Sequence, residues 1–329
     1  MAAAKRSSLI GPSLAAGFCV ALIASTFIKM PQANDWLFQI SMLLIISVSW
    51  NLMASAGLIS LGHAGFWGIG SYAAMIAAVR LDLPLYGAVI LAVASGMLFG
   101  CMLALATGRL RGIFFAISTL ALAEGMRVTT LMLPDQTGGA SGLYLPEKLQ
   151  LARSGLYLLG AVYAVVCVGI SFWLARTPFN YACRAMRDNE SAAQMLGLDP
   201  RRYRMAILAI SAGMAAGAGA VSTWYGGYLD PEIAFSLHTT IESQIATILG
   251  GIYTLAGPIL GSIAIVALSE ATRIGFGNHE GVSQLIFGVV LVLGILFMPN
   301  GLSGVWPGHR NAKSSEELDT EVEIAETVP

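Results

Sequence analysis

Ser60 and His63 stand three residues apart in GLISLGHAGFWGIGSY, the stretch from Gly57 to Tyr72. A serine so near a histidine could make a nucleophile and its base, but that chemistry also needs an acid to orient the histidine. No such acid is evident nearby. The same stretch holds Gly57, Gly62, Gly65, Gly68 and Gly70. Glycine at that density weakens a helix and exposes backbone groups. Inside a membrane, broken backbone is tolerated only against protein or along a cavity, and transporters place such breaks on the substrate route. Two readings stand: a discontinuous helix beside a translocation path, or a glycine-mediated helix contact with His63 as an interhelical donor.

LGGIYTLAGPILGS, from Leu249 to Ser262, is interrupted in a similar way by Gly250, Gly251, Gly257, Pro258 and Gly261. It echoes the Gly57 stretch too loosely to count as a repeat. NYACRAMRDNESAAQMLGLDPRRYRM, from Asn180 to Met205, is patterned differently. Asp188 and Asn189 can cap a helix start, and Gly197 and Pro200 close the pattern. Ala185, Met186, Ala192, Ala193, Met195 and Leu196 give it a small, apolar surface, while Arg184, Arg187 and Glu190 give it charge. Such a helix suits docking into a partner's groove. The plainer alternative is a basic loop that only fixes membrane orientation.

Two acid–base pairs recur at i, i+3: Glu124 with Arg127, and Glu270 with Arg273. An unpaired buried carboxylate would suggest ion coupling, whereas these come with their own partners and read as structural pairs. The four lysines never follow a glycine, so the phosphate loop GxxxxGK[ST] is absent. Neither GxSxG nor HExxH occurs. Cys19, Cys101, Cys167 and Cys183 have no metal or redox spacing and read as small packing residues.

The elements that must position these residues follow from composition. The 329-residue chain is 56% hydrophobic and 11% charged, with mean hydropathy +0.72. A soluble domain carries about 25% charged residues, so lipid is the expected solvent for most of the surface. A net charge of -1 gives nucleic-acid binding no electrostatic support. Nine apolar runs are candidate spans: Leu9–Ile28, Trp36–Ala56, His63–Arg80, Pro84–Gly108, Gly112–Leu133, Gly155–Ala175, Met205–Tyr225, Thr254–Arg273 and Ser283–Pro299. The first follows Lys5 and Arg6; it is too long for a typical signal core and reads as a retained span, with a removed signal peptide as the alternative. A tenth segment, His238–Gly250, is short and polar with Glu242 near its start, so it is either a half-length helix or a re-entrant segment.

Arg176, Arg184, Arg187, Arg201, Arg202 and Arg204 crowd one loop, which the positive-inside rule keeps cytoplasmic. Lys5 and Arg6 put the N-terminus on the same side, as does an even count of six spans between the two points. The Arg109–Arg111 turn then falls inside and Pro134–Ser154 outside. Counting the tenth segment puts the C-terminus inside. The expected fold is all-α: a polytopic transmembrane bundle of eight to ten spans with broken or short helices. It comprises a membrane domain over 1–308, with its loop at 176–204, and an acidic, disordered cytoplasmic tail over 309–329.

Taken together these stretches resemble the permease subunits of ABC importers for branched-chain amino acids, the LivM-type family. SLGHAGFWGIGSY (Ser60–Tyr72), GIFFAISTLALAE (Gly112–Glu124), TGGASGL (Thr137–Leu143) and RAMRDNESAAQMLGLDPRRYR (Arg184–Arg204) carry the likeness, in order, from about Trp50 to Gly261. The loop also fits the importer pattern EAA-x3-G-x9-I at Ala192, Ala193, Gly197 and Ile207, with Ser191 in place of the glutamate and Glu190 one position earlier. In one departure, Tyr253 stands where the family often has a glycine in GGxGTLxGP; in another, the acidic tail has no counterpart.

The resemblance implies a permease without enzymatic activity or cofactor, in the cell inner membrane. Its implied partners are a second permease, two ATPase subunits that bind the ATP, and a soluble periplasmic or lipid-anchored substrate-binding protein. Arg184, Arg187, Glu190, Ala192, Ala193 and Gly197 would form the coupling helix seated in an ATPase groove. Ser60, Gly62, His63, Gly65, Thr119, Gly250 and Gly251 would lie on or near the substrate path. The family also includes permeases for urea and short amides. An ion-driven transporter acting alone, using Glu124, Glu242 and Glu270, is a further alternative, as is a membrane enzyme built on Ser60 and His63.

Overall fold

Long apolar runs with no water to satisfy their backbone must close their own hydrogen bonds, and helices do so within one segment. The computed structural model describes residues 31–276 and isolated positions between 285 and 302. Among these residues seven helices are long and apolar enough to cross a membrane. They are α1 (Pro31–Ser55), α2 (Ala64–Leu81), α3 (Leu85–Ala106), α4 (Ile113–Met132), α5 (Arg153–Ala175), α8 (Pro200–Gly226) and α10 (Ala256–Phe276). Each coincides with an expected span. The Leu9–Ile28 run, most of Ser283–Pro299 and the 309–329 tail lie outside the described residues. Two short helices, α6 (Pro178–Asp188) and α7 (Glu190–Met195), fill the basic loop, and α9 (Leu237–Gly250) is the short polar segment. The fold is an all-α polytopic bundle.

α8 is the hub, packing on α1, α2, α3 and α5. Its middle, from Ala212 to Ala220, consists of alanine and glycine apart from Met214. Apolar side chains gain little by leaving lipid for a protein interface, so helices there associate by close backbone approach. At α3 that approach is tight: a Cβ on Gly100 would lie 2.5 Å from the Leu208 carbonyl oxygen, and one on Gly96 2.7 Å from that of Ala212.

The connections sort into two ends. At one, the Arg109–Arg111 turn meets the basic loop, with Arg111 paired to Glu190 at 3.0 Å and Arg204 donating to the Leu110 carbonyl at 2.9 Å. At the other, β1 (Leu143–Tyr144) pairs antiparallel with β2 (Tyr228–Leu229) in the register Leu143↔Leu229 and Tyr144↔Tyr228. The TGGASGL turn feeds β1 through Gly138, Gly139 and Gly142, all at positive φ. α9 leaves the ladder end and stops beside Asn51 and Tyr253 near the basic loop. At 14 residues and about 1.5 Å per residue it is about 21 Å long, shorter than a bilayer core of about 30 Å. It is a short helix packed against α1 and α10.

Candidate functional site

The backbone leaves helical form after Ser55 and resumes at Ala64. In a low-dielectric interior each freed N–H needs a partner, and side chains from neighbouring helices supply them. The Leu61 and Gly62 amides donate to Thr119 Oγ1 of α4 at 3.1 and 3.3 Å. The Ala64 amide donates to Thr240 Oγ1 of α9 at 2.9 Å. The Ser60 carbonyl accepts from Trp50 Nε1 at 2.9 Å and Gln244 Nε2 at 3.0 Å. His63 Nε2 shares a 2.7 Å hydrogen bond with Ser49 Oγ. A Cβ on Gly62 would overlap the Thr119 carbonyl, and one on Gly65 would press Ala123 at 3.2 Å.

Ser60, Gly62, His63, Gly65 and Thr119 therefore form one cluster joining α1, α2, α4 and α9. Gly250 and Gly251 are not part of it. They close the far end of α9, where Gly250 packs on Gly257 and Gly251 takes φ 122°. Ser60 and His63 have no exposed surface. Ser60 Oγ and His63 Nδ1 are buried without a hydrogen-bond partner.

One open space lies on the other side of α9. A cavity of ≈ 290 Å³ between α1, α8, α9 and α10 is edged by Gln39, Ser222, Thr239, Glu242 and Ser269 among apolar walls. Towards the ladder end it adjoins a second, of ≈ 420 Å³, through Gln39 and Tyr225; this one is lined by Asp35, Glu270 and Arg273. Asp35 accepts from Tyr157 at 2.5 Å and Tyr225 at 2.6 Å, with Arg153 at 3.6 Å. Sequence reasoning passed over Asp35, Gln39 and Ser222; the signal was a polar residue inside or at the edge of an apolar run.

In the basic loop, Asn189 breaks α6 from α7 and caps α7 by accepting from the Ala192 amide at 3.1 Å. Gly197 ends it at φ 84°, with its amide bonded to the Gln194 carbonyl and that of Leu198 to the Ala193 carbonyl, the paired closure that favours glycine. Glu190 is the anchor, meeting Arg204 at 2.9 Å and Arg111 at 3.0 Å. It thereby ties the loop to the starts of α8 and α4. Ala193, Cys183 and Met186 face inward, and burial pushes the Cys183 thiol up to about 12. Arg184 and Ala192 face outward, as do Met195 and Leu196, 84% and 81% exposed.

Arg187 reaches both interrupted segments. A Cβ on Gly57 would sit 3.3 Å from its Cα, and its guanidinium lies 4.2 Å from the centre of the Tyr253 ring. Tyr253 holds φ 66°, a left-handed conformation that glycine adopts freely and other residues rarely. The turn expected of a glycine is thus kept with a tyrosine, and the Tyr253 amide donates to Asn51 Oδ1 at 2.9 Å.

A helical membrane bundle with an interrupted, glycine-packed centre and an ordered basic loop defines a polytopic transport-type membrane protein. Residues 32–295 match the family described as branched-chain amino acid transport system / permease component, and the chain belongs to that family. It is 28% identical to the high-affinity branched-chain amino acid transport system permease protein LivM of Escherichia coli K12, over 79% of this chain and 67% of that one. It is 24% identical to the permease protein BraD of Pseudomonas aeruginosa, over 84% and 98%. It is 25% identical to LivH of Escherichia coli K12, over 58% and 60%.

Proposed function

We propose that this chain is one permease of an ABC importer for branched-chain or closely related amino acids. The observation that carries the assignment is the ordered loop. α6 and α7 present Arg184, Ala192, Met195 and Leu196 outward while Glu190 clamps the loop to Arg111 and Arg204. A push on the loop would be passed to α4 and α8, and Arg187 would pass it to both interrupted segments. Arg184, Arg187, Glu190, Ala192, Ala193 and Gly197 form the coupling element in this reading. It seats in an ATPase subunit, and closure of the ATPase pair reorients the helices as rigid bodies.

The chain lacks a phosphate loop, so the ATP belongs to the partner. The relatives named LivM and LivH support a pair of unlike permeases. A soluble binding protein would deliver substrate at the ladder end, and the basic loop and both termini would be cytoplasmic. The permease domain is 1–308 and the acidic tail 309–329 is a separate cytoplasmic extension. Ser60, Gly62, His63, Gly65 and Thr119 brace the wall of the path, and Gly250 and Gly251 form the turn at its inner end. Affinity purification of the tagged chain from its own membranes tests the assembly: an ATPase subunit and a second permease co-purify, and recovery of the chain alone from a gentle extraction would contradict it.

A further inference from the structure

The Glu124–Arg127 pair of α4 sits where a lipid-facing helix should carry no charge. Arg127 Nε lies 3.0 Å from both Glu124 oxygens and Nη2 lies 2.5 Å from one of them. Glu124 is 13 residues from Arg111 and 11 from Asp135, the charges that flank the helix. At about 1.5 Å per residue it is about 20 and 17 Å from them, close to mid-bilayer. Yet the side chains are 56% and 28% exposed. Ionised groups at that depth face a protein interior or a water-filled cavity, not lipid.

The rotation of α4 is not accidental. Thr119, bonded by the Leu61 and Gly62 amides, and Ala123, against Gly65, pin its opposite side to the interrupted segment. This setting turns Glu124 outward. Beside it Gly125 has nothing within 4 Å of a Cβ position, so the helix surface next to Glu124 is open. The pair also has capacity left over. The contacts to Glu124 come from two guanidinium nitrogens, leaving N–H donors of the five free, and a carboxylate can accept about four hydrogen bonds.

We propose that Glu124 and Arg127 form a station on the substrate path for the zwitterionic head of an amino acid, Arg127 receiving the α-carboxylate and Glu124 the α-ammonium. The proposal rests on the amino-acid permease reading above and names the site that reading leaves open. α4 then faces the second permease across a wet path. A mutually neutralised pair suits a transient station: it costs less to leave empty than a lone charge and releases the solute by closing on itself.

The alternative is a dry helix interface in which the pair is only structural, and the assembled transporter separates the two. Single variants Glu124→Gln and Arg127→Gln strand a charge and impair either arrangement. The double variant removes both charges. A station predicts that its uptake of radiolabelled leucine, isoleucine and valine, driven by ATP in vesicles, stays down by about tenfold or more, with assembly and basal ATP hydrolysis kept. Recovery of wild-type uptake in the double variant would overturn the proposal.

Gly125→Cys in otherwise unaltered complex gives an independent reading that needs no charge change. Modification by a water-soluble, charged methanethiosulfonate supports the wet path. Resistance to that reagent with modification by an apolar maleimide, or resistance to both, contradicts it. Absence of any amino-acid uptake by the wild-type complex would instead strike the permease assignment itself.

Discussion

The guanidinium of Arg187 stacks on the ring of Tyr253 at 4.2 Å, joining the basic loop to the turn between α9 and α10 where the backbone is left-handed. The contact sets two effects against each other. A non-glycine residue in that conformation costs about 1–2 kcal/mol, and a cation–π contact returns about 0.5–1 kcal/mol or more. Tyr253→Gly is therefore expected to leave thermal stability of the detergent-purified complex nearly unchanged, within about 1 kcal/mol. Tyr253→Val, with a branched Cβ at φ 66° and no ring, should lose about 2 kcal/mol. Melting curves check both, and equal stability of Val and wild type would refute the strained turn.

Glu190 has two guanidinium partners and little exposure. Replacing it by alanine leaves Arg204, itself 10% exposed at its side chain, without its carboxylate, which costs about 3 kcal/mol or more when a buried charge is stranded. The functional expectation is specific: Glu190→Ala retains basal ATP hydrolysis in the complex but loses about tenfold or more of transport per ATP, about 1.4 kcal/mol or more. Parallel uptake and hydrolysis assays measure the ratio; an unchanged ratio would remove Glu190 from the coupling route.

Gly100 meets the Leu208 carbonyl and Ala212 across the α3–α8 contact. Gly100→Val forces the helices apart and should destabilise by about 1–3 kcal/mol or more, read as lost membrane accumulation. Gly112→Ala tests another kind of glycine. A Cβ there would meet nothing, but φ 53° with ψ -128° is a backbone conformation that L side chains rarely adopt, so a loss of about 1–3 kcal/mol is expected from strain alone.

Cys183 lies outside the spans, is 1% exposed, and burial pushes its thiol up to about 12. Maleimide at pH 7–9 should leave it unmodified in the folded complex and modify it after denaturation. The sign of the linkage follows: the folded thiol ionises later than the unfolded one near 8.5. Its stabilising contribution is full below about pH 8.5 and falls as the pH rises towards 12. Rapid labelling in native complex would show that α6 opens.

Much of this arrangement was legible in the sequence because lipid imposes a severe rule on backbone. Seven of the expected spans fall on the seven long apolar helices among the described residues. The pairings Glu124–Arg127 and Glu270–Arg273 followed from helical spacing and are present. What composition could not convey was direction. Glu124 reads as a neutralised structural residue until its exposure at mid-depth is known. Asp35 and Gln39 go unremarked in the sequence, because nothing in a linear pattern says that Tyr157 and Tyr225 converge on the Asp35 carboxylate. Tyr253 was visible as a departure, but only the backbone tells that the left-handed turn survives it.

The most direct test is transport by reconstituted components. Proteoliposomes holding this chain with its second permease and ATPase subunits, supplied with binding protein outside and ATP inside, should accumulate leucine, isoleucine or valine, while this chain alone under a proton or sodium gradient should accumulate none. Accumulation by the chain alone, without ATPase subunits, would contradict the account.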